Sequence, residues 1–195
     1  NISKEESMTA FTTEKIDVEP WFDMELFMGV SQETRLGGDV MDRFMTLWKN
    51  WLPHLTVKGI DTGKIKYLLV ALDESVEQDV DKAWEGSPSN AFLYNALAQT
   101  MCMAAVHAVI PEVQDAGCAP APKPTATLRE ALEAEGIPYS NDKDPILSRR
   151  YAVVTHYPFK GGCEICVLQS NCPKGQGQME ATSVVLPGYE HPQQM

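Results

Sequence analysis

Up to about residue 136, apolar side chains recur at three- and four-residue steps, the spacing that lines one face of a helix. Residues 1–19 lack this rhythm. Lys4, Glu5, Glu6 and Glu14 mark a polar arm, expected to be ordered only where it lies on something. Pro20 can then open a short helix with Trp21, Met24, Phe27 and Met28 on one face and Gly29 to end it. Behind a Gly37-Gly38-Asp39 start signal, Val40, Met41, Phe44, Leu47, Trp48, Trp51 and Leu52 predict an amphipathic helix over 39–52, closed or kinked by Pro53. A second long helix, 63–85, is expected after Asp61 or Thr62. Its stripe would be Ile65, Leu68, Leu69, Leu72, Val76, Val80 and Trp84, with Gly86 at its end. Asp73, Glu74, Glu77, Gln78 and Asp81 on the other face read as solvated.

Ser87-Pro88 supplies a cap and a first residue for a third helix, 88–110, which stops against Pro111. Ala91, Phe92, Leu97, Met101, Met103 and Val106 leave it few polar positions, so it is expected at the centre of the core. Packing of these three helices would bury Phe44, Trp48, Leu69, Leu72, Leu97, Met101 and Ala105. Residues 115–126, with prolines at 120, 122 and 124, are expected to be extended and polyproline-like. Beyond them a Thr127–Glu130 capping box opens a short helix to Glu135, ended by Gly136 and Pro138. Asp144-Pro145 offers a further helix start, and Tyr151 to Thr155 reads as one short strand or extended run. The expected fold is therefore mainly α. A bundle-like body over 20–136, with a Pro-rich connection near 115–126, would follow the 1–19 arm and precede a C-terminal segment, 137–195, carrying an irregular cysteine-rich loop.

Composition acts on this picture by exclusion. The 195 residues are 44% hydrophobic and 22% charged, which suits one globular core rather than a disordered or collagen-like chain. Acidic side chains number 27 against 16 basic, and the net charge of −11 argues against nucleic acid or an anionic membrane surface as the main partner. No apolar run reaches the roughly 18–20 residues of a membrane span. Nor is an uncleaved secretory signal visible from Asn1. The five cysteines are odd in number and three of them crowd together, a usage that fits a metal in a reducing, cytoplasmic setting better than a disulfide ladder.

That crowding carries the chemistry. In Lys160-Gly-Gly-Cys163-Glu-Ile-Cys166-Val-Leu-Gln-Ser-Asn-Cys172-Pro173, two thiols separated by two residues can face one ion or cluster corner, and a third can reach it one turn later. Gly161 and Gly162 ease entry into such a loop and Pro173 stiffens its exit. The stretch from His156 to Pro173 resembles the iron-sulfur cluster loop of endonuclease III-type DNA glycosylases, whose ligands follow Cys-x6-Cys-x2-Cys-x5-Cys. Cys163, Cys166 and Cys172 match the last three ligands, while His156 stands at the first. The resemblance implies a cluster-binding loop and no glycosylase activity, because the helix-hairpin-helix glycines and the catalytic Lys and Asp of that family have no counterpart upstream. A similar tail completed by one distant cysteine looks like the cluster staple of certain helicase-associated exonucleases, and under that pattern Cys118 is the partner.

The fourth ligand stays open at this point, between Cys118, in a Gly- and Pro-rich stretch, and His156, with Cys102, His191, a carboxylate or a vacant position behind them. His107, His54, the methionines and the tryptophans read as structural, and Arg149-Arg150 as a solvated pair. No Gly-x-Ser-x-Gly, Walker or His-Glu-x-x-His motif is present. The leading expectation is an iron-sulfur protein with a 4Fe-4S cluster, accessory to a redox enzyme or its maturation machinery. Behind it stand a zinc-stabilised adaptor or chaperone-like module, and then a metalloenzyme with an open coordination position.

Overall fold

A computed structural model describes residues 10–141 and 145–177. In chain order it forms β1 (Thr12–Lys15), α1 (Met24–Ser31), α2 (Gly38–Trp51), β2 (Leu55–Asp61), β3 (Lys66–Leu72), α3 (Glu74–Gly86), α4 (Pro88–Val109), α5 (Glu112–Ala116), α6 (Ala126–Ala134) and β4 (Ala152–His156). Short 3-10 turns lie at Leu52–His54, Cys163–Ile165 and Gln169–Asn171. The strands make one antiparallel sheet in the order β1-β2-β3-β4. The mainly helical expectation is thus corrected: the fold is α+β, with a sheet running through the supposed bundle.

The correction centres on the expected 63–85 helix. Tyr67 to Leu72 are all buried, as in a strand covered on both faces, and such a continuous apolar run also supplies a helical stripe. The polar residues before it make a hairpin rather than a helix start. Asp61 Oδ1 accepts the Gly63 N–H at 2.8 Å, the Thr62 N–H donates to Ile65 O at 3.0 Å, and Gly63 takes φ 78°. The helix begins only at α3, where Asp73 Oδ1 accepts the Ser75 N–H at 2.9 Å.

Both faces of the sheet are covered. Leu68, Val70 and Leu72 join Phe44, Trp48, Leu97 and Met101 in the larger core, beneath α1 to α4. Leu69, expected on the same stripe as Leu72, points the other way with Tyr67 and Ala71, into a smaller core with Leu128, Ala131 and Leu132 of α6. All seven residues expected to be buried are buried, but Leu69 and Leu72 are so on opposite faces. Helix α4 is central, packing on α1, α2, α3 and β3. It is long and apolar enough to cross a membrane by length and composition, yet its apolar surface is spent on this core.

Several local expectations shift. The first short helix starts at Met24, capped by Asp23, and leaves Trp21 72% exposed instead of on its packed face. Helix α6 is capped by Thr125, whose hydroxyl accepts the Leu128 N–H at 3.2 Å, not by Thr127. Asp144 lies outside the described residues, and no helix follows Pro145 up to Arg150. Arg150 donates to Asp81 at 2.7 Å and Arg149 lies 3.8 Å from Glu77, so both arginines are paired with α3. In the stretch read as an arm, β1 pairs with β2; in the C-terminal segment, β4 pairs with β3.

Candidate metal centre

The cysteine loop leaves the sheet at the end of β4. Cys163 opens one 3-10 turn, and Cys166 closes it with its N–H on Cys163 O at 3.2 Å. Cys172 closes the second, its N–H 3.4 Å from Gln169 O. Tight chain crossings explain two glycines. At Gly161, with φ 153°, a Cβ would fall on the Glu164 carboxylate, which turns back to accept the Gly162 N–H at 2.9 Å. At Gly175 a Cβ would stand 2.7 Å from Gln169 O.

A second segment is fastened to this loop. The Ala121 N–H donates to Cys166 Sγ at 3.4 Å, and the Val167 N–H returns to Ala121 O at 3.0 Å. Lys174 Nζ donates to Ala116 O at 3.0 Å. Beneath them the Thr155 hydroxyl of β4 donates to Pro120 O at 2.9 Å, in the interior. These bonds bracket Cys118, which follows the left-handed Gly117 (φ 72°) ending α5.

The ionisation of Cys118 records its neighbours. Burial pushes its thiol up to about 11; Lys174 opposes the shift, while Cys163, Cys166 and Cys172 reinforce it. All five cysteines are free of disulfides. Among the described residues, no three His, Cys, Asp or Glu side chains stand as a ready-made metal-binding group, so the thiols would have to close on an ion or cluster.

The other candidates are placed elsewhere. His156 ends β4 with its ring 5.5 Å from that of Tyr67, on the α6 face and opposite to Thr155. Burial lowers its pKa, Lys160 lowers it further, and its Nδ1 has no partner among the described residues. Cys102 is buried in α4 with Sγ 3.5 Å from Tyr151 O, and burial pushes it up to about 12. His191 lies outside the described residues. The fold therefore ties the 116–121 segment, which holds Cys118, to the loop and turns His156 toward Tyr67.

The sequence reading missed the Ser75, His54 and Asp73 cluster, with His54 Nδ1 2.7 Å from Asp73 and 3.1 Å from Ser75 Oγ. Serine and aspartate meet the same ring nitrogen, so the imidazole cannot relay a proton between them, and the cluster acts as the cap of α3. It also missed Ala121, Thr155 and Lys174, although the Pro-Ala-Pro alternation and a lysine just after Cys172 were visible signals. Comparison of the chain with protein-family models, with curated proteins and with solved structures returns no match.

Proposed function

We propose that this chain is a redox-associated iron-sulfur accessory protein, with one cluster of the 4Fe-4S type held by Cys118, Cys163, Cys166 and Cys172. The body would dock on a larger redox enzyme or on its maturation machinery. One observation supports the reading: the bonds from Ala121 and Lys174 tie the segment that holds Cys118 to the loop of three cysteines whose spacing suits a cluster. Five free thiols fit a reducing, cytoplasmic setting, and the charge of −11 fits a protein partner better than a nucleic acid.

Anaerobically purified protein should show broad visible absorption that bleaches on reduction, together with iron and acid-labile sulfide. Cys118→Ala should lose the centre and His156→Ala should keep it. Retention of a full, unchanged centre by Cys118→Ala would overturn this ligand set. Stoichiometric zinc without iron would favour a second reading, a zinc-stabilised adaptor, since four cysteines also suit a closed structural zinc. The exposed pair Trp84 and Phe92, with ring centroids 4.7 Å apart, supports that reading by offering an aromatic surface for a partner.

A further inference from the structure

We propose that Trp84, Glu85 and Phe92, at the turn between α3 and α4, form the docking surface for an arginine-bearing segment of a protein partner. The inference deepens the docking proposed above, rests on that reading only in taking the partner to be a protein, and does not depend on the metal the loop holds. Trp84 is 42% exposed and Phe92 62% exposed, with ring centroids 4.7 Å apart and planes at 74°. Pro88, one turn before Phe92, is exposed as well. The core does not need these rings, since Val76 and Val80 of α3 and Ala91 and Leu97 of α4 are fully buried without them. Two rings already held edge to face lose little freedom when a partner covers them.

Charge selects the partner. Helix α3 carries Glu74, Glu77, Asp79, Asp81 and Glu85 against Lys82 alone. Glu77 and Asp81 share the stripe of Trp84, and Arg149 and Arg150 already meet them. Glu85, next to Trp84, has no ion pair among the described residues, and the last turn of α3 has no basic side chain. Lys82 stands two residues from Trp84 and so faces away from it. Proline at 88 has no N–H, so that residue offers no donor to the Trp84 carbonyl. An open aromatic ring, a carboxylate and a carbonyl, on a chain of net charge −11, suit a cation with a flat face and several donors. A guanidinium stacks on an indole while it donates to a carboxylate, whereas an ammonium has no flat face to stack. Acidic segments are repelled.

The test is fluorescence anisotropy of a labelled peptide of alternating leucine and arginine, titrated with the full chain under reducing conditions. Peptides with lysine or glutamate in place of arginine are run beside it. The arginine peptide should bind, the lysine peptide about three- to tenfold more weakly, and the glutamate peptide not measurably. Trp84→Ala and Phe92→Ala should each weaken arginine binding about tenfold or more, with circular dichroism unchanged. Glu85→Gln should weaken it about two- to fivefold and flatten its salt dependence. Trp21→Ala, which removes another exposed ring, should leave binding as it is. Arginine binding that survives both Trp84→Ala and Phe92→Ala, or that falls equally in Trp21→Ala, would overturn the inference. So would a glutamate peptide that binds as tightly as the arginine one. A wild-type dimer that Trp84→Ala turns into a monomer would show a second copy on these rings and overturn it too. Iron and sulfide are measured in the same samples, so each of these results leaves the cluster reading to its own test.

Discussion

Replacing Thr155 by Val tests the contact that seats the Cys118 segment on the sheet. Thr155 is 1% exposed, and its hydroxyl donates to Pro120 O at 2.9 Å. Valine has nearly the same volume, so the change opens no cavity and leaves the larger core around Val153 intact. What it removes is a donor to a buried carbonyl, which costs about 1–3 kcal/mol when no other partner takes over. For a chain of this size, each kcal/mol moves Tm by about 2–4 °C, so the expected fall is about 2–12 °C. Thr155→Ser keeps the hydroxyl and serves as the control, losing only the methyl group. Urea unfolding followed by circular dichroism gives the stability, and mass-spectrometric mapping of alkylation gives the exposure of Cys118. Thr155→Val should be less stable than Thr155→Ser, and metal-free Cys118 should react faster in it. Equal stability and unchanged labelling would refute the idea that this bond holds the segment.

Leu97→Ala should cost about 2–5 kcal/mol in urea unfolding, because Leu97 is fully buried at the centre of α4; a cost below about 1 kcal/mol would remove it from the core. Arg150→Gln should destabilise the protein near neutral pH by a gap that closes in acid. The hydrogen bond from Arg150, aided by its charge, holds the Asp81 carboxyl below its ordinary 3.8, so the ionised form contributes stability above that value and loses it as pH falls through the lowered one. Without Arg150 that contribution is absent at every pH, and the Asp81 resonance should titrate in the ordinary range by NMR; an unmoved titration would contradict the pairing.

The sequence made α2, α4 and β4 legible for the same reason, that local pattern and tertiary role agree. Phe44, Trp48 and Trp51 repeat at helical steps, Ser87-Pro88 and Pro111 bracket α4, and Tyr151 to Thr155 are too short and β-branched for a helix. β3 was not legible, because a strand buried on both faces has no alternation to show, and Leu68, Leu69, Leu72 and Val76 happen to continue into the stripe of α3. Missing that strand hid the sheet and made α6 part of the wrong layer. Of the candidate centre, the loop cysteines were visible from spacing alone. The different surroundings of Cys118 and His156 were not, because they follow from the strand alternation that sends Thr155 toward Pro120 and His156 toward Tyr67.

That arrangement also bears on what metal removal does. Helix α4 packs on β3 and touches β4, and α5 leaves its C-terminal end, so the core itself carries the segment after α5 to β4, where Pro120 meets Thr155. None of Cys118, Cys163, Cys166 and Cys172 belongs to either buried cluster. The proposed centre would thus be built on a body that has its own apolar core, unlike a zinc finger, whose folding energy is supplied by the metal. Chelation under reducing conditions should leave the far-UV circular dichroism nearly unchanged and preserve slow amide exchange in β3 and α4. Protection should fall in 157–177, where local 3-10 turns and a few hydrogen bonds to 116–121 are what remain. A cooperative loss of helix and sheet on chelation would show instead that the body depends on the centre, and the separation of core from site argued from the burial of these cysteines would be wrong.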